Sequence, residues 1–264
     1  MYQLHAIKYA ELNARKRSDL FVGPDPHDGR IDMDYFVWVA IGADRVCVVD
    51  IGFSAEVGTR RGRRFLRSPV ETLADLGVDA ASVRDVIITH LHYDHVGNFG
   101  LFPNARFHLQ DREMAFATGR QMGHAFMRAA YEVEDIVGMV RAVYAERVVF
   151  HDGDAAIAPD IEVHRIGGHT RGLQAVRVAT GRGTVVLASD ASHYYENLEQ
   201  GRVFSILDSA ADVLEGYRRL RELAARPELI VPGHDPEVMR RYPPSDARLK
   251  GIAVRLDLEP ASRS

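Results

Sequence analysis

Val86-Ile87-Ile88-Thr89-His90-Leu91-His92-Tyr93-Asp94-His95 reads as an apolar, β-branched strand that runs directly into a cluster of potential metal ligands. A histidine that serves packing normally stands alone, and a carboxylate is rarely buried unless paired or metal-bound. Three histidines and an aspartate within positions 90–95 therefore predict a metal site. Delivery from a strand end fits sheet-based enzymes, in which rigid strands fix the ligands and loops leave room for substrate.

Working outward, strand-like and helix-like signals alternate, which predicts a layered α/β architecture. Residues 35–50, YFVWVAIGADRVCVVD, predict two short strands joined by a Gly-Ala-Asp turn, and Asp50-Ile51-Gly52 then brings an acid to a sharp bend. Ser68-Pro69-Val70-Glu71 predicts a helix start with Ser68 as its cap, stopping at Gly77. After the hexapeptide, residues 106–109 predict a strand, and residues 111–147 a helical insertion able to cover a site. Met114, Ala115, Met122, Phe126, Met127 and Ala130 are its expected packing positions. Strand signals return at residues 148–150, 161–166, 175–178 and 184–188. An amphipathic helix follows over 209–225 with Val213, Leu214, Tyr217, Leu220 and Leu223 on one face, then a strand at 229–231. One domain is expected over residues 1–264, with a frayed tail over about 259–264.

Composition narrows the setting. At 264 residues the chain can bury a sizeable core, and 46% hydrophobic with 27% charged residues suits a globular enzyme. Thirty-three basic against thirty-seven acidic side chains give a formal charge of −4, so nothing favours nucleic acid or an anionic membrane as partner. No apolar stretch approaches a membrane span of roughly 18–20 residues, and the N-terminus lacks the pattern of a secretory signal. The expected location is cytoplasmic. Cys47 is the one cysteine, excludes an internal disulfide, and reads as a small buried hydrophobe.

Three further blocks each lie just beyond a strand: Gly167-Gly168-His169-Thr170, Ser189-Asp190-Ala191-Ser192 and Pro232-Gly233-His234-Asp235. With the hexapeptide they make an inventory of five histidines and two aspartates. Together these blocks resemble the metallo-β-lactamase superfamily, whose signature is an HxHxDH block followed by a GH block, a strand-end Asp and a late GH. The resemblance implies an α/β fold of the αββα sandwich type, two mixed sheets flanked by helices, with a two-metal site at one edge. It also implies a division of ligands: His90, His92 and His169 for the first ion, Asp94, His95 and His234 for the second, and Asp190 bridging. Imidazole and carboxylate without thiolate suit Zn2+, with Mn2+, Co2+ or Fe2+ as alternatives. Asp50 matches a position that supports a metal-ligating histidine.

More narrowly, the chain resembles N-acyl homoserine lactonases, the quorum-quenching lactone hydrolases. Asp190-Ala191-Ser192 followed by aromatic residues, 21 positions from His169 to Asp190 and 44 from Asp190 to His234, carry that likeness. The expected reaction is opening of a lactone or a related ester by a metal-bridging hydroxide that attacks a polarised carbonyl. Asp94 and Asp190, with His193 and Tyr194, form the expected catalytic set. In the lactonases a Tyr stands three residues after the bridging Asp. Here that place is His193, with Tyr194 next, and either can donate to the carbonyl or leaving oxygen. Alternatives are a glyoxalase II-type thioesterase, a mono-iron persulfide dioxygenase, and a binding module that holds metal without turnover. Length and the apolar insertion permit a homodimer. Arginines 60, 61, 63, 64 and 67 can receive a substrate carboxylate, though a solvated loop or dimer contact is the plainer expectation. Residues 21–28 form an expected substrate wall with an exposed Phe21, while His27, His108, His124, His151 and His164 read as surface histidines and Arg171 as a surface residue.

Overall fold

The computed structural model describes residues 1–23 and 28–261. The first half runs β1 (Gln3–Lys16), α1 (Arg17–Leu20), β2 (Arg30–Ile41), β3 (Val46–Val49), α2 (Ala55–Arg60), β4 (Arg64–Phe65), α3 (Pro69–Asp75), β5 (Asp85–Ile87) and α4 (Tyr93–Val96). It continues with β6 (Arg106–Gln110), α5 (Asp111–Ala117), α6 (Ala125–Arg128) and α7 (Val133–Tyr144). The second half comprises β7 (Val148–His151), β8 (Ala155–Ala158), β9 (Ile161–Arg165), β10 (Gln174–Thr180), β11 (Gly183–Ser189), α8 (Tyr195–Gln200), α9 (Ala210–Leu223), β12 (Ile230–Pro232), α10 (Glu237–Arg241) and β13 (Ala253–Arg255).

Two mixed sheets face each other. The eight-stranded sheet has the order β13-β1-β2-β3-β5-β6-β7 with β4 paired to β1, and the five-stranded sheet the order β12-β11-β10-β9-β8. Alternation along each strand explains the layering, because successive side chains point to opposite faces. Phe36, Trp38 and Ala40 of β2 meet Val176, Val178, Val185 and Leu187 in the inter-sheet core. Their neighbours Tyr35, Val37 and Val39 face outward onto Leu73, Phe116 and Met139 of the covering helices. On the second sheet Val186 and Ala188 turn outward onto Val213, Tyr217 and Leu220 of α9. Each fully buried Val, Leu, Met or Phe among them contributes about 1.5–3 kcal/mol. Both sheets thus bear helices on their outer faces, the αββα arrangement expected from the sequence.

Several expectations change. The 14-residue β1 is absent from the sequence reading, yet it anchors the first sheet between β13 and β2. The 111–147 segment is not one continuous helix: Gly119 and Gly123 bound a short 3-10 turn between α5 and α6. The helical phase resets there, and Phe126 ends 68% exposed rather than packed. Leu214 lies off the buried stripe of α9 at 47% exposure. Ser68 precedes α3 without a side-chain capping bond. Phe21 is buried, not exposed, against Tyr194 and bridged to Phe204. His27 lies outside the described residues. Glu259 pairs with Arg226, and the Ala261 N–H donates to the Arg241 carbonyl, so the chain stays tied down as far as residue 261. No helix among the described residues is long and apolar enough to cross a membrane.

Helix α7 carries a testable cost. Burial, then the neighbouring Glu132, push Asp135 from 3.8 up to about 6, and its Oδ2 is buried without a hydrogen-bond partner. A raised carboxyl pKa means the folded state binds its proton more tightly than the unfolded chain does. The associated stability is therefore full below about pH 3.8 and is lost as pH rises through about 6. Asp135→Asn should raise stability by about 1 kcal/mol at pH 8, after discounting for partial exposure, and by nothing at pH 4. Thermal denaturation at the two pH values checks this, and an equal shift at both would contradict it.

Candidate metal centre

The strand ends named by the sequence converge at one edge of the sandwich. Beyond β5, the extended Thr89-His90-Leu91 carries the chain to His92, the N-cap of α4, whose first turn presents Asp94 and His95. His169 follows β9 in the loop to β10, Asp190 directly follows β11 and His234 follows β12. Gly233 is required at that last turn, since a Cβ there would lie 2.7 Å from the Ser189 carbonyl. All seven side chains are buried.

Their ligand atoms form two groups. His90, His92, His169 and Asp190 make one, and Asp94, His95 and His234 make another, with the atoms of each group within 4.8 Å of one another. Asp190 links the groups: its Oδ1 lies 3.0 Å from His234 Nε2 and 3.3 Å from His95 Nε2, and its Oδ2 3.2 Å from His169 Nε2. The structure thus brings all seven residues read from the sequence together at this edge, and Asp190 and His234 also form a third such group with His193.

Backing groups orient the imidazoles. Asp50, at φ +60°, accepts from the Thr89 N–H and hydroxyl and lies 2.7 Å from His95 Nδ1. His169 Nδ1 donates to the Ile206 carbonyl and His234 Nδ1 to the Asp34 carbonyl. In each case the remaining nitrogen turns toward the cluster with its lone pair, as metal ligation requires. Burial, reinforced by neighbouring imidazoles, holds His90 and His92 well below the usual histidine range. Asp190 stays well below the usual carboxylate range because the imidazoles around it, His234 first, outweigh its burial.

Two observations test whether a metal fits. His90 Nε2 and His95 Nε2 are buried polar atoms without any hydrogen-bond partner, which is costly unless another group satisfies them. His92 Nδ1 and His169 Nε2 approach to 2.9 Å, so two imidazole nitrogens converge on one point. Oxygen and nitrogen donors of this kind suit a divalent metal.

The two expected donors part ways. His193 is buried with Nε2 3.0 Å from Asp190 Oδ2, and Phe204 stacks on its ring at 3.5 Å. Tyr194 does not reach the cluster, which corrects its place in the catalytic set. Its hydroxyl donates to the Asp32 carbonyl, because the tight turn after Ser189, itself at φ +46°, sends adjacent side chains to opposite sides.

A cleft of about 340 Å³ opens onto the cluster, lined by His92, Asp94, His169, Asp190, His193 and His234 together with Tyr35, Tyr93, Arg61, Arg63, Met33, Phe126 and Phe204. The exposed Phe126 of the helical insertion therefore faces this cleft. Sequence reasoning missed one buried residue behind the site: Glu113 of α5 accepts from the Leu91 N–H, the Thr170 hydroxyl and the Gly172 N–H. Of the remaining histidines, His108 and His164 are buried in ion-pair networks with Asp85 and Asp154, which corrects their reading as surface residues. Arg171, half exposed, pairs with Asp208, and Gln174 is buried, its side chain donating to the Ile88 carbonyl.

A family model described as the metallo-beta-lactamase superfamily matches residues 32–234. An N-acyl homoserine lactonase AttM of Azorhizobium caulinodans is 30% identical over 168 residues, 61% of this chain and 62% of that protein. An N-acyl homoserine lactonase of a Bacillus species is 28% identical over 173 residues, 65% and 63% of the two chains. The match thus spans a little under two thirds of these relatives. Among solved structures, a quorum-quenching N-acyl homoserine lactone lactonase superposes with a TM-score of 0.74 at 22% identity, over 89% of this chain and 92% of that one. A probable metal-dependent hydrolase from Staphylococcus aureus gives 0.73 at 16% identity, over 99% and 95%. At these identities the structures establish the shared fold.

Proposed function

This chain belongs to the metallo-beta-lactamase superfamily, and on that premise we propose that it is a metal-dependent hydrolase that opens a lactone or a related ester at a two-metal centre. The observation that supports the reading is Asp190, one buried carboxylate whose Oδ2 lies 3.2 Å from His169 Nε2 and whose Oδ1 lies 3.0 Å from His234 Nε2 and 3.3 Å from His95 Nε2. His90, His92 and His169 would hold one ion, Asp94, His95 and His234 the other, with Asp190 common to both. Zn2+ suits this donor set, and Mn2+, Co2+ or Fe2+ are compatible. Divalent metals supply Lewis acidity and an activated water near neutral pH.

The chain's own groups complete the chemistry. His193, fixed between Asp190 and the Phe204 ring, would hold or pass a proton at Nε2 for the leaving alkoxide. Tyr35 stands edge-on to His234, and Tyr131 edge-on to His92, so aromatic walls exclude water around the ligands. The lactonase relatives support a lactone as substrate.

Metal analysis of purified protein should give about two equivalents per chain. Activity of the reconstituted protein should then favour lactones over simple esters, thioesters and amides, and should vanish on chelation. A folded protein that takes up no divalent metal sinks the reading. A preference for thioesters moves it to a thioesterase.

A further inference from the structure

Of the five arginines at positions 60, 61, 63, 64 and 67, four are neutralised within the chain. Arg60 and Arg61 pair with Glu132, Arg64 with Glu11, and Arg67 with Glu71 and Asp75. Among the described residues Arg63 has no carboxylate partner. It lines the same cleft as the metal cluster. The other cleft arginines are committed: Arg15 to Asp19, and Arg61 to Glu132 and to the Ala129 and Tyr131 carbonyls.

Arg63 is also held in place. Gly62, at φ +65°, turns the chain after α2, and the Arg63 N–H bonds the Gly58 carbonyl at 2.8 Å. Its Nε donates to the Tyr93 hydroxyl at 2.9 Å and its Nη1 to the Arg61 carbonyl at 2.7 Å. The Tyr93 hydroxyl passes its own proton toward Tyr35 at 3.3 Å. These bonds leave Nη2 and one Nη1 proton unused, the paired donors that match a planar carboxylate. The acids in the cleft cannot answer this charge, because Asp19 is paired with Arg15, and Asp94 and Asp190 belong to the metal cluster in the proposed reading. A positioned, uncompensated cation beside a metal site calls for an anionic ligand.

We propose that Arg63 anchors a carboxylate on the substrate, so that the preferred substrate is a compact lactone or ester bearing an acid group apart from the scissile carbonyl. The proposal rests on the hydrolase reading. Cleft size agrees: about 340 Å³ lies at the small end of the roughly 300–1,000 Å³ usual for ligand pockets. Leu12, Leu20 and Met33 supply an apolar wall for the ring carbons.

The test compares γ-butyrolactone with its γ-carboxylate on metal-loaded wild type, Arg63→Gln and Arg63→Lys. The wild type should favour the carboxylated ring, and that preference in kcat/KM should fall about 10- to 100-fold in Arg63→Gln, chiefly through KM. Arg63→Lys should recover part of it, as a point charge without the fork. A wild-type preference for the neutral ring, or a ratio unchanged in Arg63→Gln, overturns the inference and leaves the hydrolase reading standing. Calorimetric titration with glutarate, on chelator-treated and on metal-loaded protein, separates the two ideas. Weaker binding to Arg63→Gln in both states supports the anchor even if neither lactone is turned over, whereas equal binding to the two proteins overturns it.

Discussion

Asp190→Asn is expected to lower kcat/KM on any lactone substrate by about 10³-fold or more, equivalent to several kcal/mol of transition-state stabilisation. The side chain is nearly isosteric and sits at 6% exposure among five imidazoles, so little packing is lost. What is lost is charge. Asparagine offers one weak carbonyl donor where Asp190 presents one oxygen to His234 and His95 and the other to His169 and His193. Metal content should fall toward one equivalent, and circular dichroism should be unchanged. Turnover within tenfold of wild type, with two metals still bound, would show that Asp190 is not the shared ligand. Because the variant keeps the shape of the cleft, ligand binding measured beside turnover also separates an enzyme from a module that only holds metal.

The clarity of this site in the sequence has a physical basis. Metal ligands must be particular side chains, and a strand end delivers them in short runs, so His90 to His95 and the blocks at His169, Asp190 and His234 stood out without any knowledge of contacts. The inter-sheet core was legible for a similar reason, since the alternation of Phe36, Trp38 and Ala40 is local. Strand β1 was not, because Ala6, Ala10, Glu11 and Lys8 are residues that favour helices, and only pairing with β2 and β13 makes them a strand. The choice between His193 and Tyr194 was equally hidden. One step along the chain exchanges facing and non-facing side chains, and the turn that decides it is set by Ser189 and by the bond from the His234 N–H to the His193 carbonyl. Arg63 differs from its four neighbours only in what surrounds it, which no run of arginines reveals.

Glu113 is the sharpest case of a residue behind the site without a sequence signal, and its removal should be strongly destabilising. In Gln110-Asp111-Arg112-Glu113 it reads as an ordinary acid in the first turn of a helix, where the dipole welcomes it. The fold buries it completely. Its Oε1 accepts from the Leu91 N–H at 2.9 Å, and its Oε2 from the Thr170 hydroxyl at 2.6 Å and the Gly172 N–H at 3.0 Å. Leu91 separates His90 from His92, and Thr170 follows His169, so one carboxylate ties together the two loops that carry the three histidines of the first ligand group. Gly172 permits this approach, because a Cβ there would fall 2.2 Å from the Glu113 nitrogen. Burial pushes the Glu113 carboxyl up, against the pull of these three donors. Glu113→Ala strands these three donors, and the Tyr131 hydroxyl 3.5 Å from Oε1, in a dry interior, and at about 1–3 kcal/mol for each unsatisfied group, with partial relaxation, the loss should be about 3–5 kcal/mol. Urea unfolding of chelator-treated protein measures it apart from metal binding. Metal affinity of the folded fraction should also drop about 10- to 100-fold, as loss of an orienting partner behind metal ligands typically does. A loss below about 1 kcal/mol would mean that water replaces the carboxylate and that the loops hold their ligands without it.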